Sequence, residues 1–161
     1  MTVDWINAVA PADLCFSSTP VKLQNGMASI QSSQWGPLTY GLTDAAPTYG
    51  DLTGDGKDEI GLKVYRVPEG AGGSGIIAQG FVILDGASGT AKLIGNVIAV
   101  HSSTPGLNSP GVNRIDIIPG GITSYEKFYT VDDPSCCPSR DAVTNWTYRD
   151  GKLSHGTTVD K

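Results

Sequence analysis

The sequence predicts a mainly β (α+β) protein. We expect a single domain over residues 1–161, built on a twisted antiparallel sheet or a partly closed barrel with a short N-terminal helix. The chain holds 21 glycines and 10 prolines, a composition typical of short strands joined by tight turns. Three turn signals, Asn25-Gly26, Pro119-Gly120-Gly121 and Asp150-Gly151, each separate two stretches that contain apolar residues.

The first third of the chain predicts one helix and one hairpin. Apolar residues share one face of a helix over residues 3–9, and Pro11 would end it. Asn25-Gly26 predicts a hairpin because both residues tolerate positive φ. Residues 31–49 are polar and contain two prolines, which indicates a long connection with at most a short strand at residues 38–40.

The remaining chain predicts strands with clear alternation. In residues 59–67, Ile60, Leu62 and Val64 point one way and Lys63 and Tyr65 point the other. Further strands are expected at residues 76–84, 91–100, 114–118, 122–131, 142–149 and 152–155.

The charge pattern argues against nucleic-acid and anionic-membrane partners. The net charge is −5, and the 11 lysines and arginines are scattered along the chain. A nucleic-acid or lipid-headgroup site would need a basic cluster to gain electrostatic attraction.

One acidic stretch, residues 51–59, resembles a calcium-binding loop. Its candidate ligands are oxygen donors, as a hard cation requires: Asp51, Thr53, Asp55, the Lys57 carbonyl and Glu59. Gly56 would allow the sharp turn at loop position 6, but Leu62 stands where an EF-hand has a bidentate glutamate. The alternative is a turn whose aspartates accept backbone N–H groups. Calcium is therefore the one cofactor that the sequence suggests.

Other motifs give weaker signals. Residues 70–75 fit the letters G-x-G-x-x-G, but the predicted strand after them does not supply the helix N-terminus that a dinucleotide needs. His101 and His155 could serve a hydrolase, but the chain has no G-x-S-x-G elbow. We therefore expect no catalytic residues.

Three cysteines favour an oxidising compartment and one disulfide. Cys136 and Cys137 are adjacent in a polar, proline-flanked loop, where exposed thiols would be a liability in the cytosol. We expect Cys15 to pair with Cys136 or Cys137, since a direct Cys136–Cys137 bond closes a strained eight-membered ring. The direct bond is the second alternative.

The opening Met-Thr-Val-Asp-Trp has neither the basic nor the apolar region of a signal peptide. If the protein is exported, we expect this sequence to be a trimmed form in which Met1 comes from expression.

Three segments together resemble a known family. They are Tyr49–Gly56 leading into a strand, the Asp133-Pro-Ser-Cys-Cys-Pro-Ser139 loop and the late Trp146–Leu153 hairpin. This pattern is similar to the LppP/LprE-type envelope lipoproteins of actinobacteria and related secreted proteins, over roughly residues 5–153. The resemblance implies export and, in most members, a lipid anchor on an N-terminal cysteine, a segment that this sequence lacks. It supplies no catalytic residues.

These observations predict a non-enzymatic binding or interaction module of the cell envelope, outside the cytoplasm. Its partner would be an envelope protein or a cell-wall component, with membrane contact only through a lipid anchor. One alternative is a calcium-stabilised adhesion or glycan-binding module, and a weaker one is a secreted hydrolase that uses His101 or His155.

Overall fold

A computed structural model describes residues 4–11, 17, 19–70, 78–87, 89–102 and 104–161. Within them strands dominate, and the helical structure is one 3-10 turn, Trp5–Asn7. The strands are β1 (Val9–Ala10), β2 (Val21–Lys22), β3 (Met27–Ser32), β4 (Gly36–Leu42), β5 (Thr48–Gly50), β6 (Glu59–Pro68), β7 (Ala78–Asp85), β8 (Lys92–Val97), β9 (Gly111–Ile118), β10 (Gly121–Phe128), β11 (Arg140–Arg149) and β12 (Lys152–Asp160).

The strands form three antiparallel sheets, which confirms the predicted fold class. A central sheet has the order β3-β4-β6-β7-β8, and β5 pairs with the first residues of β6. A C-terminal sheet has the order β12-β11-β10-β9, and β1 pairs with β2. The strands include a curled antiparallel sheet in the form of a half-barrel.

Local turn chemistry sets two of the reversals. Asn25 and Asp150 both have a φ of 52°, and the glycines after them have φ of 81° and 78°, the left-handed pair that a tight hairpin turn requires. The Asp150-Gly151 and Pro119–Gly121 hairpins join neighbouring strands of the C-terminal sheet, as predicted. At Asn25-Gly26 the turn is present, but β2 pairs with β1, and only a Gln24–Met27 bridge links the two arms of the turn.

Strand β6 divides the interior into two cores. Ile60, Leu62 and Val64 face a first core that the N-terminal segment covers with residues such as Ala10 and Leu23. The opposite face of the central sheet meets the C-terminal sheet in a second core, whose buried members are Leu52, Phe81, Ile83, Val97, Val112, Ile115, Ile122 and Trp146.

Two predictions about the first half of the chain were wrong. The expected helix over residues 3–9 is only the 3-10 turn, whose preceding residue Asp4 makes no side-chain cap, and Val9 begins a strand. The expected connection over residues 31–49 contains β5 as well as β4, and β4 is a longer strand that spans the short one expected at residues 38–40. In β4, buried Leu38 and Tyr40 alternate with residues on the other face, so a strand pattern was present beneath the polar composition.

Candidate functional site

A cleft lies where the C-terminal sheet stops covering the central sheet. The C-terminal sheet packs on Phe81 and Ile83 of β7, and a side chain at Gly61 of β6 would meet Ile115. Farther along the same face the central sheet is open. Because cross-strand neighbours share a face, the register places Thr39, Tyr65, Val67 and Gln79 together there.

The cleft has a volume of about 580 Å³, which is within the usual range for small-molecule sites. Its lining is mostly apolar and neutral polar, with two charged residues, Asp44 and Lys63; the full lining is Thr39, Leu42, Thr43, Asp44, Ala45, Lys63, Tyr65, Val67, Pro68, Gly70 and Gln79. This mixture suits a polar organic ligand with an apolar side.

Lys63 is the cation of the cleft. Its Nζ donates a hydrogen bond to the Asn113 carbonyl of β9 at 3.0 Å, which fixes the side chain at the border between the two sheets. Burial lowers the pKa of Lys63 from its ordinary 10.5, because a half-buried ammonium loses hydration. In the described residues the ion pairs join His101 to Asp160, Arg114 to Asp116 and Lys127 to Asp141, and none involves Lys63.

Tyr65 supplies the aromatic surface of the cleft. A side chain at Gly41 would lie 3.1 Å from the Cε1 atom of Tyr65, so the glycine gives the ring its space. The Tyr65 hydroxyl lies 3.9 Å from the Met27 sulfur. The ring therefore has a defined position on the sheet and is half-buried, with part of its surface exposed to the cleft.

The two aspartate side chains of the acidic turn accept hydrogen bonds from backbone amides. Asp51 accepts N–H bonds from Gly54, Asp55 and Gly56 at 2.7–3.0 Å, and Asp55 accepts one from Lys57 at 2.9 Å. The Asp55 contact is that of an Asx turn, and the Asp51 contacts reach three to five residues along the chain, so together they hold the loop that leads into β6.

Glu59 is the buried member of the same turn, at 1% exposure. Its two carboxylate oxygens accept the N–H of Thr53 at 2.9 Å and the Thr53 hydroxyl at 3.3 Å. The predicted ligands thus lie in one turn, although within the described chain no three His, Cys, Asp or Glu side chains are close enough to form a metal cluster.

The cysteine pairing differs from the leading expectation. Cys136 and Cys137 are bonded to each other, the alternative that ranked second, so both sulfurs are occupied. A turn that Cys137 N–H closes onto the Pro134 carbonyl at 3.0 Å brings the two side chains together. Cys15, the expected partner, lies outside the described residues.

Asp133 organises the loop that carries this disulfide. Its carboxylate accepts the N–H groups of Thr130 at 2.8 Å and Ser139 at 3.0 Å. Those hydrogen bonds, led by the one from Thr130, lower the pKa of Asp133 from 3.8 to about 2. Since the folded pKa is the lower one, this stabilisation is complete above the unfolded pKa and is lost as the pH falls through about 2.

The two histidines have structural contacts. The His101 ring stacks on Phe128 at 3.8 Å, and its Nε2 lies 3.3 Å from Asp160. His155 Nδ1 contacts the Gly156 carbonyl at 3.0 Å, and its ring packs edge-on against Trp146. Neither ring contacts a serine hydroxyl or a cysteine sulfur within the described residues, which therefore do not assemble a nucleophile–histidine pair.

A buried polar network that we did not predict lies on the inner face of the C-terminal sheet. Glu126, 1% exposed, accepts the N–H groups of Val100 and His101 at 3.0 and 2.9 Å and the Thr144 hydroxyl at 2.8 Å. Nearby, Trp146 Nε1 donates to the Ser124 hydroxyl at 2.9 Å. The network ties residues 100–101 to the sheet.

No protein-family model, curated protein or solved structure matches the chain. The described residues contain no helix with the length and apolar character to cross a membrane.

Proposed function

We propose that this protein is a non-enzymatic binding or interaction module of the cell envelope that acts outside the cytoplasm, and that its ligand binds in the cleft. The observation that carries the proposal is the open part of the central sheet, where Lys63 and Tyr65 lie in a cavity of about 580 Å³. A concave site with a few convergent polar groups is the usual form of a ligand site.

The compartment and the partner follow from independent features. The Cys136–Cys137 disulfide is exposed, and exposed disulfides persist mainly in oxidising compartments. The resemblance to LppP/LprE-type lipoproteins supports the same location, with a lipid anchor as the only proposed membrane contact. An envelope protein or a cell-wall component is therefore the proposed partner, and a wall component is small enough in its repeating unit to enter the cleft.

Titration of a muramidase digest of actinobacterial cell walls into isotope-labelled protein tests this proposal. We expect amide resonances of cleft residues to shift, and Tyr65→Ala to weaken binding at least tenfold because it removes the aromatic surface. Tyr49→Ala is the matched control, since Tyr49 is an exposed tyrosine outside the cleft lining. Shifts that map elsewhere, or equal effects of the two substitutions, would contradict the proposal.

A calcium-stabilised adhesion or glycan-binding module is the second candidate. The observation that favours it is the buried Glu59 carboxylate, which lies in the same turn as Asp51 and Asp55, since a cation would offset the negative charge of this turn. Thr53 and the Lys57 carbonyl would complete the oxygen ligands. The hydrogen bonds of Asp51 and Asp55 to the turn amides would have to coexist with coordination.

Calcium binding predicts a rise in the melting temperature when calcium replaces a chelator. A ligand at a hundredfold excess over its Kd adds about 2.7 kcal/mol to the free energy of unfolding. Asp55→Ala should abolish that response. Asp85→Ala is the control, because Asp85 likewise accepts an N–H two residues ahead, at 2.7 Å, but lies outside the acidic turn. Identical melting curves of the wild type in calcium and in chelator would exclude this candidate.

A further inference from the structure

We propose that the ligand of the cleft is an acidic saccharide with one carboxylate, which Lys63 binds while the sugar body rests against Tyr65. This inference rests on the proposed binding function and adds the chemical class of the ligand to it.

The first argument is the electrostatic state of Lys63. An ammonium has three N–H donors, and Lys63 directs one of them at the neutral carbonyl of Asn113. Within the described part of the chain, no carboxylate lies within 4.0 Å of its Nζ. Half-burial without a counter-ion disfavours the charged form, which agrees with the direction of its pKa shift. A ligand carboxylate would supply the missing counter-ion and two acceptor oxygens.

The second argument limits the ligand charge. Asp44 lines the same cleft and is exposed, so it is hydrated in the free protein and needs no partner. Asp44 would repel a ligand with several negative charges more strongly than a ligand whose one carboxylate is directed at Lys63. The cleft therefore favours a single acid group over a polyphosphate.

The third argument concerns the neutral part of the ligand. Thr39, Thr43 and Gln79 offer hydroxyl and amide groups that both donate and accept hydrogen bonds. Tyr65 and Val67 offer an apolar surface beside them. A pyranose ring has the same division, with hydroxyl groups around its edge and C–H groups on its faces. The volume of about 580 Å³ accommodates one or two such rings.

N-acetylmuramic acid and N-acetylglucosamine test the inference, because they differ only in the lactyl ether that carries the carboxylate. We expect N-acetylmuramic acid to shift cleft resonances with at least tenfold higher affinity than N-acetylglucosamine. Lys63→Met should abolish this preference and Lys63→Arg should retain it. Lys127→Met is the control, since Lys127 pairs with Asp141 on the C-terminal sheet.

The outcomes separate the two proposals. Equal affinity for both sugars, or a preference that survives in Lys63→Met, overturns the acidic-ligand inference. Cleft shifts with the wall digest but with neither sugar also overturn it, while the binding function stands. If the digest and both sugars leave the cleft resonances unchanged, the binding function fails as well. The preference of the wild-type protein for N-acetylmuramic acid over N-acetylglucosamine tests the inference even if Lys63→Met does not fold.

Discussion

Glu126→Ala is expected to lower the free energy of unfolding by about 4 kcal/mol, the largest effect that we predict for a single substitution. Three donors lose this acceptor: the buried Thr144 hydroxyl, which keeps its contact with the Thr158 hydroxyl, and the backbone N–H groups of the partly buried Val100 and His101. An unsatisfied buried polar group costs about 1–3 kcal/mol. Partial relaxation of the structure should keep the total cost for the three donors well below three times the upper value. Because whole domains are stable by only about 5–15 kcal/mol, the variant should be close to unfolding at growth temperature.

Urea denaturation of three variants checks this expectation. Glu126→Gln keeps one side-chain carbonyl as an acceptor. We therefore expect its free energy of unfolding to lie between those of the wild type and the alanine variant. Glu69→Ala is the control, because Glu69 is exposed and surface changes usually alter stability by less than about 0.5 kcal/mol. A loss below about 1 kcal/mol in Glu126→Ala would mean that the network does not hold residues 100–101.

Local chemistry explains which parts of the fold could be predicted from the sequence. The turns at Asn25-Gly26 and Asp150-Gly151 depend on residues that tolerate positive φ, so two letters are enough to predict them. The two faces of β6 follow from alternation, and the sequence predicted them for Ile60, Leu62 and Val64 on one side and Lys63 and Tyr65 on the other. Strand pairing is different. Whether β1 pairs with β2, and β5 with β6, depends on distant parts of the chain.

The sites were harder to predict for the same reason. The sequence correctly placed Lys63 on the face opposite Leu62. The cleft, however, exists because the C-terminal sheet ends before it covers this part of the central sheet. No local sequence pattern predicts where one sheet stops covering another. Glu126 did carry a usable signal: it is in phase with Ile122, Ser124 and Phe128, so an acidic residue on the buried side of β10 could have been recognised. The cysteine pairing depended on whether a tight turn could bring two adjacent side chains together.

The second large effect is expected at Gly50, where β5 crosses β9. A Cβ at this position would lie 2.6 Å from the Ile117 carbonyl oxygen and 2.8 Å from the Ile117 Cβ. Neither atom can rotate away, so the strands must separate. Overpacking of this kind costs about 1–3 kcal/mol, and we expect Gly50→Ala to lie at the upper end, near 3 kcal/mol.

Two other glycines of the central sheet provide matched comparisons for Gly50. At Gly61 the nearest atom is the Ile115 Cδ1 at 2.6 Å, the movable end of a side chain. Gly61→Ala should therefore cost less than about 1.5 kcal/mol, at the low end of overpacking penalties. At Gly95 an added Cβ would make ordinary contact with Leu153 at 3.5 Å, so Gly95→Ala should be neutral.

Compensating substitutions distinguish a backbone clash from a side-chain clash. Ile115→Val removes Cδ1, so Gly61→Ala combined with Ile115→Val should be more stable than the sum of the single changes predicts, by about 0.5–1 kcal/mol. Ile117→Ala leaves the carbonyl and Cβ of residue 117 in place, and its effect should simply add to that of Gly50→Ala. Urea denaturation of the double variant tests this. If Ile117→Ala rescues Gly50→Ala, then β5 and β9 can move apart. Their close approach would then not fix the position of the C-terminal sheet, which borders the cleft.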